Sequence, residues 1–232
     1  MKNYLYIFAK LIFLFLAQAS QAETDATTVL RKAQAALAAE DYETAYDTYQ
    51  IAAQKHHSAL AQFSLGLFYR NGWGRDTNNV TACQWFEKAA VQGIPVAQHF
   101  TGSCLEQGLH RTENPELAAT YYQKAAEAGH YVSYCDLGRL HMAGKGIEKN
   151  AVLALELCLS PAMQGSLSAQ IQMGKFLLEG DASIRNPLEA IHWFETAAQQ
   201  QSSEAFYYLG MIVRQGLLQN HTPQKARQLF EQ

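Results

Sequence analysis

Long basic runs are absent from this chain of 232 residues, and charge of either sign is scarce. Only 17% of the residues are charged and the formal net charge is −3, so no global positive field favours nucleic acid or anionic lipid. Prolines number five and no low-complexity tract occurs, which is typical of a globular chain. We therefore expect a folded protein without a nucleic-acid partner.

The sequence motifs of common hydrolases are missing as well. No Ser-x-x-Lys stands at a helix start, and neither Gly-x-Ser-x-Gly nor His-Glu-x-x-His occurs. His192 and Glu195 are three residues apart and could supply two metal ligands, but no further ligand is indicated. We expect no catalytic residue, no metal or cofactor site and no enzyme activity.

The long hydrophobic run of the sequence is at its N-terminus. A positively charged start, the apolar core 11–17 and the small-residue end Ser20-Gln21-Ala22 are typical of a secretory signal peptide. We predict a signal peptide over residues 1–22, a mature chain that starts at Glu23, and a periplasmic or secreted protein without stable membrane insertion after cleavage. An uncleaved membrane anchor is the alternative. No cysteine follows the predicted cleavage site, which argues against a lipoprotein anchor.

A gapless period of 36 residues organises the rest of the chain. The first glycine series is Gly66, Gly102, Gly138, Gly174 and Gly210. The second is Gly72, Gly108, Gly144, Gly180 and Gly216. An alanine series is Ala82, Ala118, Ala154, Ala190 and Ala226. The repeat units are 59–94, 95–130, 131–166, 167–202 and the incomplete 203–232.

Each unit is predicted to contain two helices. The first ends at the second glycine, because glycine best adopts the left-handed backbone that follows a helix C-terminus. Six residues later an Asn or Thr side chain can cap the second helix, and a proline follows in three units. These cap residues are Asn78, Asn114, Asn150, Asn186 and Thr222.

Small and aromatic residues share one face of the predicted second helix. Ala190, Phe194 and Ala197 are four and three residues apart, so the partner helix can approach closely there. Trp193 and Phe194 are expected to fill the core beside this contact. His192 belongs to a polar series at its repeat position and is expected at the surface.

This pattern resembles the SEL-one-like repeat, a relative of the tetratricopeptide repeat. The motif is carried by stretches such as "AQFSLGLFYRNGWGRDTNNVTACQWFEKAAVQG", and the resemblance covers residues 59–232. It implies an all-α fold, a right-handed α-solenoid of stacked helical hairpins of the bacterial exported type. Residues 23–58 resemble a tetratricopeptide hairpin that caps the array. Two features depart from the family pattern. Pro161 predicts an early end or kink of its helix near Leu159. The last unit stops at Gln232, before the position of the alanine pair.

Family members mostly act as adaptors, scaffolds or regulators. The resemblance implies that the first helices line a concave face that binds a protein or peptide partner in the cell envelope. The predicted partner-binding residues are Phe63, Arg70, His99, Arg139, Lys175, Tyr207 and Arg214. The same geometry adds Leu67, Ser103, Glu106, Met142, Ile171, Leu178 and Met211, several of which could instead be core. Alternatives are a cell-wall-active or β-lactam-binding hydrolase and a structural part of an envelope assembly; the oligomeric state stays open.

Four cysteines in a chain that resembles an exported protein suggest two disulfides. In antiparallel hairpins, Cys83 and Cys104 lie equally far from the turn between their helices, and so do Cys135 and Cys158. We predict the pairs Cys83–Cys104 and Cys135–Cys158. The alternatives are four small buried thiols, or a Cys135 that faces the groove.

Overall fold

A computed structural model describes residues 25–216, which form helices joined by turns and contain no strand. The signal-peptide prediction and the second half of the last repeat lie outside these residues. The first helix, α1, covers 25–38 within the described range. Ten helices follow: α2 Tyr42–Lys55, α3 Ala59–Asn71, α4 Asn79–Val91, α5 Pro95–Gln107, α6 Pro115–Glu127, α7 Val132–Ala143, α8 Ala151–Met163, α9 Leu167–Glu179, α10 Pro187–Ala198 and α11 Ser203–Arg214. None of the helices in the described range has the length and apolar character needed to cross a membrane.

The described second helices start at the predicted asparagine caps. The side chains of Asn78, Asn114, Asn150 and Asn186 each accept a hydrogen bond from the backbone N–H three residues on. Each bond satisfies an N–H group that has no partner inside the helix. The helix α2 begins in the same way, where the side chain of Asp41 accepts a hydrogen bond from the N–H of Thr44.

The chain forms two compact units, residues 1–100 and 101–232, and each is considered by itself. In the first unit α2 packs on α3, and α3 on α4. In the second unit each helix from α6 to α11 packs on the next along the chain. The predicted all-α class of stacked helical hairpins is confirmed.

The glycine of the first helix receives the aromatic ring of the second. A Cβ atom on Gly174 would lie 2.6 Å from Cζ of Phe194, so only glycine allows this contact. Phe194 is fully buried and Trp193 is 9% exposed, whereas His192 is exposed. The core role predicted for the aromatic pair and the surface position predicted for His192 are both confirmed.

The third repeat replaces this ring with a disulfide. Cys158 occupies the repeat position of Phe86, Tyr122 and Phe194, and it is bonded to Cys135. Cys135 is 5% exposed, so it does not face a groove. Cys83 and Cys104 are each disulfide-bonded as well, and no described cysteine is free.

The expected early end of α8 at Pro161 is wrong. The helix continues to Met163 with Pro161 inside it. The proline lies in the last turn, where it removes only one helical hydrogen bond, and its own carbonyl accepts from the N–H of Ser166 at 3.1 Å. It also takes a position that carries alanine in the other repeats, and its compact ring is buried there.

The second glycine series ends the first helices in left-handed backbone with one exception. Gly72, Gly108, Gly144 and Gly216 have φ angles of 70°, 65°, 64° and 69°. Gly180 has φ −70°. There the chain reverses later, in a turn closed by the N–H of Ile184 and the carbonyl of Asp181 at 3.1 Å.

Candidate functional site: the first-helix face

The predicted partner-binding residues lie on the first helices of the hairpins, and we call their surface the first-helix face. Phe63 and Arg70 are on α3, His99 on α5, Arg139 on α7, Lys175 on α9, and Tyr207 and Arg214 on α11. Because the two compact units meet within α5, the face is described for each unit separately.

Aromatic rings dominate the first-helix face of the first unit. Phe63 is half-buried, with ring centroids 5.7 Å from Phe86 and 6.1 Å from Phe100. Arg70 is exposed, and its guanidinium lies 4.4 Å from the centroid of Phe100. His99 is half-buried with its ring 5.3 Å from that of Phe100. Phe63 thus contributes to packing, while Arg70 presents a cation to solvent.

A cluster of ionic groups joins three helices in the second unit. Arg139 on α7 donates two hydrogen bonds to Glu106 on α5, at 2.6 and 2.7 Å. The hydroxyl of Tyr122 on α6 donates to the same carboxylate at 3.1 Å. Asp136 lies one helical turn before Arg139, 3.7 Å from the guanidinium. We call these four residues the Arg139 cluster.

The two carboxylates of the Arg139 cluster have opposite pKa shifts. Burial acts to raise the pKa of Glu106, but the hydrogen bonds and charge of Arg139 outweigh it, so this pKa is lowered. Burial raises the pKa of Asp136 to about 6, and the neighbouring Glu106 carboxylate adds to the rise while Arg139 opposes it. Arg139 therefore pairs chiefly with Glu106, and Asp136 is the carboxyl group that titrates near neutrality.

We predict that Asp136→Asn stabilises the protein at pH 7.5. Because the pKa of Asp136 is raised from 3.8 to about 6, its contribution to stability is full at low pH and is lost as the pH rises through about 6. Asparagine does not ionise, so the variant keeps its stability as the pH rises. Its free energy of unfolding at pH 7.5 should therefore exceed that of the wild type by on the order of 2 kcal/mol. Urea unfolding at pH 5 and pH 7.5 measures the difference.

Glu106→Gln is the matched control for this prediction. In the wild type the pKa of Glu106 is lowered, so the ionised carboxylate stabilises the fold above pH 4.5. This stabilisation is lost as the pH falls. The glutamine variant should therefore be less stable than the wild type at both pH values. Equal stability of Asp136→Asn and wild type at pH 7.5 would show that the burial of Asp136 carries no cost.

Lys175 is also paired within the second unit. Its ammonium group is 2.5 Å from a carboxylate oxygen of Glu204 on α11 and 5.3 Å from the ring centroid of Tyr208. Tyr208 stacks on Phe194 with centroids 4.7 Å apart. This contact links α9 to α11 and holds Lys175 against an aromatic ring.

In the second unit, the most exposed predicted residues of the face lie on α11. Tyr207 is 51% exposed, Arg214 is exposed and Met211 is half-buried. Spacings of four and three residues place these side chains along one side of the helix. Ile171, which the sequence also suggested for the face, is 7% exposed and belongs to the core.

Sequence reasoning missed a further repeat position that shapes the face. Phe100, Asp136 and Tyr208 share this position, one residue after the series that contains His99 and Tyr207. Phe100 and Tyr208 stack on Phe86 and Phe194, and Asp136 joins the Arg139 cluster. The recurrence of two aromatic residues at this position was the available signal.

Helix pairs that recur every 36 residues, with a glycine–aromatic contact in the first, second and fourth repeats, define a tetratricopeptide-related α-solenoid protein. The family model described as "Sel1 repeat", which is the SEL-one-like repeat, matches residues 59–94, 95–130, 132–166, 167–202 and 203–232. The matches cover most of the chain, and the protein belongs to the Sel1 repeat family. Proteins with this repeat are generally non-enzymatic scaffolds for protein–protein interaction.

Several solved structures are similar to this chain. A Sel1 repeat protein from Oxalobacter formigenes is 30% identical, with a TM-score of 0.71 over 82% of this chain and 75% of that one. The protein c5321, a protective antigen of uropathogenic Escherichia coli strains with an SLR fold, is 27% identical, with a TM-score of 0.67. That match covers 93% of this chain but only 46% of c5321. No curated protein matches the chain.

Proposed function

We propose that the protein is an exported adaptor or scaffold whose first-helix face binds a peptide or a partner protein in the cell envelope. The observation that carries this proposal is the row of Tyr207, Met211 and Arg214 on α11, in which Tyr207 and Arg214 are exposed and Met211 is half-buried. Tyrosine and arginine are enriched among the residues that contribute most to interface affinity. Their spacing along one side of a helix suits an extended peptide or a partner helix.

The paired charges support a preformed surface on the same side of the hairpins. Arg139 is held by two hydrogen bonds to Glu106, and Lys175 is held against Glu204. A side chain that is already ordered loses less conformational entropy when a partner binds. Arg139 and Lys175 thus shape the face, while Tyr207 and Arg214 supply its main contacts.

The cysteines support export. Disulfides persist in oxidising compartments such as the periplasm, and all four cysteines of the chain are disulfide-bonded. The residues at 1–22 add a signal-peptide pattern. Both observations favour a periplasmic or secreted location.

Site-specific photo-crosslinking tests the proposed face. A photoreactive phenylalanine analogue replaces Tyr207, and in a matched control it replaces Leu188, which is 72% exposed at the start of the second helix α10. In the native periplasm, we expect the probe at 207 to capture a partner that the probe at 188 does not. Capture at 188 alone would place the interface on the second helices and overturn the proposal.

The captured partner then allows a quantitative prediction. Tyr207→Ala combined with Arg214→Ala should weaken its binding by about a hundredfold, since two anchors of this kind together contribute roughly 3 kcal/mol. Circular dichroism should show unchanged helicity, because both side chains are exposed. Leu188→Ala serves as the control and should leave the affinity unchanged.

A further inference from the structure

The loop between α3 and α4 holds an arginine among aromatic rings. The guanidinium carbon of Arg75 is 3.1 Å from the ring centroid of Tyr46 and 5.3 Å from that of Tyr69. It also lies 6.0 Å from the centroid of Phe68. The hydroxyl groups of Tyr46 and Tyr69 are 2.9 Å apart. A fixed cation and two hydroxyl groups are thus brought together in the first unit.

Packing alone does not require a charge at this position. Arg75 occupies the repeat position of Ile147, which packs as an aliphatic side chain against the core of its own unit. An isoleucine therefore fills the equivalent slot in the third repeat without any charge. The second repeat also has an arginine at this position, Arg111, whereas the third repeat has no charge there.

Arg75 has no carboxylate partner among residues 25–216. Basic side chains of the second unit do have such partners, as in Arg139–Glu106 and Lys145–Glu113 at 2.6 and 2.7 Å. The Nε atom of Arg75 is buried and makes no hydrogen bond within the described part of the chain. A buried N–H group without an acceptor is costly, and an anion that binds along this edge of the guanidinium would supply the acceptor.

The two tyrosines add a hydrogen-bond donor to the cation. Burial is the main cause of the raised pKa of Tyr46, so its hydroxyl keeps its proton at neutral pH. In the Tyr46–Tyr69 pair one hydroxyl donates to the other, which leaves one O–H group for a ligand. A guanidinium beside a free hydroxyl donor is suited to an oxyanion.

We propose that Arg75, Tyr46 and Tyr69 form a binding site for an oxyanion, and that its occupant is a carboxylate of a partner protein. A carboxylate fits better than a phosphate dianion because the site offers a single cation. The guanidinium of Arg70 is placed over the ring of Phe100 instead. The site involves α2, α3 and the α3–α4 loop, and it does not depend on the proposed role of Tyr207 and Arg214.

Calorimetric titration of the full mature chain tests the site with defined probes. The probes are the blocked peptide acetyl-Ala-Glu-Ala-amide, its Gln analogue and inorganic phosphate, all at the same ionic strength. We expect the Glu peptide to bind about tenfold more tightly than the Gln peptide and more tightly than phosphate. Equal binding of the two peptides, or no binding of either, would overturn the site, and tighter binding of phosphate would overturn the carboxylate assignment.

Three variants assign the binding to these side chains. Arg75→Ile copies the residue of the third repeat, so the packing is kept, and it should lose the preference for the Glu peptide. Tyr46→Phe keeps the ring and should weaken binding about threefold to tenfold through loss of one hydroxyl. Arg111→Gln removes an exposed cation at the same repeat position and should have no effect. Wild-type binding by Arg75→Ile would refute the proposal.

Discussion

Gly138→Leu is expected to unfold its hairpin at much lower urea concentration than the wild type requires. A Cβ atom on Gly138 would lie 2.7 Å from the carbonyl oxygen of Ala154 and 3.4 Å from its Cα. These are backbone atoms of α8, so they cannot move aside as a flexible side chain could. Overpacking of this kind costs about 3 kcal/mol, and leucine adds three further carbon atoms beyond the Cβ. Urea unfolding followed by circular dichroism measures the loss.

Two companion variants separate crowding from other effects. Ser160→Leu adds the same side chain at an exposed position of α8 and should change the free energy of unfolding by less than about 0.5 kcal/mol. Gly138→Ala should still destabilise the protein, although alanine favours an isolated helix over glycine by about 1 kcal/mol. A Gly138→Ala variant as stable as the wild type would show that α7 and α8 do not need this close contact.

The helical hairpins could be predicted from the sequence because each local signal agrees with the repeat. Asn150 caps a helix, Gly144 ends one and Phe194 packs onto Gly174, and each recurs with the same period. A 36-residue period fixes where a residue lies on its helix. The period therefore identifies core positions and turns together.

The contacts of the first-helix face were less predictable, because they depend on residues that do not recur. Arg139 and Lys175 share a repeat position, yet Arg139 pairs with Glu106 on an earlier helix and Lys175 with Glu204 on a later one. Periodicity places both cations on the same face. It does not determine which neighbour carries the matching carboxylate, and so it could not show that the two cations are already paired.

Pro161 illustrates a different limit of sequence reasoning. The general rule for proline inside a helix predicts a break, because proline removes one backbone hydrogen bond and crowds the turn before it. In α8 the helix nevertheless continues for two residues beyond Pro161, to Met163. An estimate of the helix end from the alanine pair of the other repeats would have placed Pro161 in the last turn.

Removal of the Cys135–Cys158 disulfide should cause a loss of stability similar to that of Gly138→Leu. The bridge joins residues 23 apart, which corresponds to about 3 kcal/mol in the chain-entropy description. Cys158 stands where Phe86, Tyr122 and Phe194 fill the other hairpins. In the variant Cys135→Ala/Cys158→Ala, the bridge is lost and no aromatic ring replaces it at position 158. We expect its urea midpoint to fall accordingly, with faster hydrogen exchange confined to residues 131–166.

Reduction of the wild type provides the independent check on this result. A reducing agent should lower the urea midpoint of the wild type at least as much as the double alanine substitution does, because Cys83 and Cys104 are disulfide-bonded too. Peptide mapping without reduction should recover a fragment that joins the segments around 135 and 158. Four free thiols in protein purified from the periplasm would refute the bridge, and an unchanged midpoint after reduction would show that it does not stabilise the hairpin.

Since α7 carries Asp136 and Arg139, loss of the bridge should also loosen the Arg139 cluster and reduce the stability difference between pH 5 and pH 7.5.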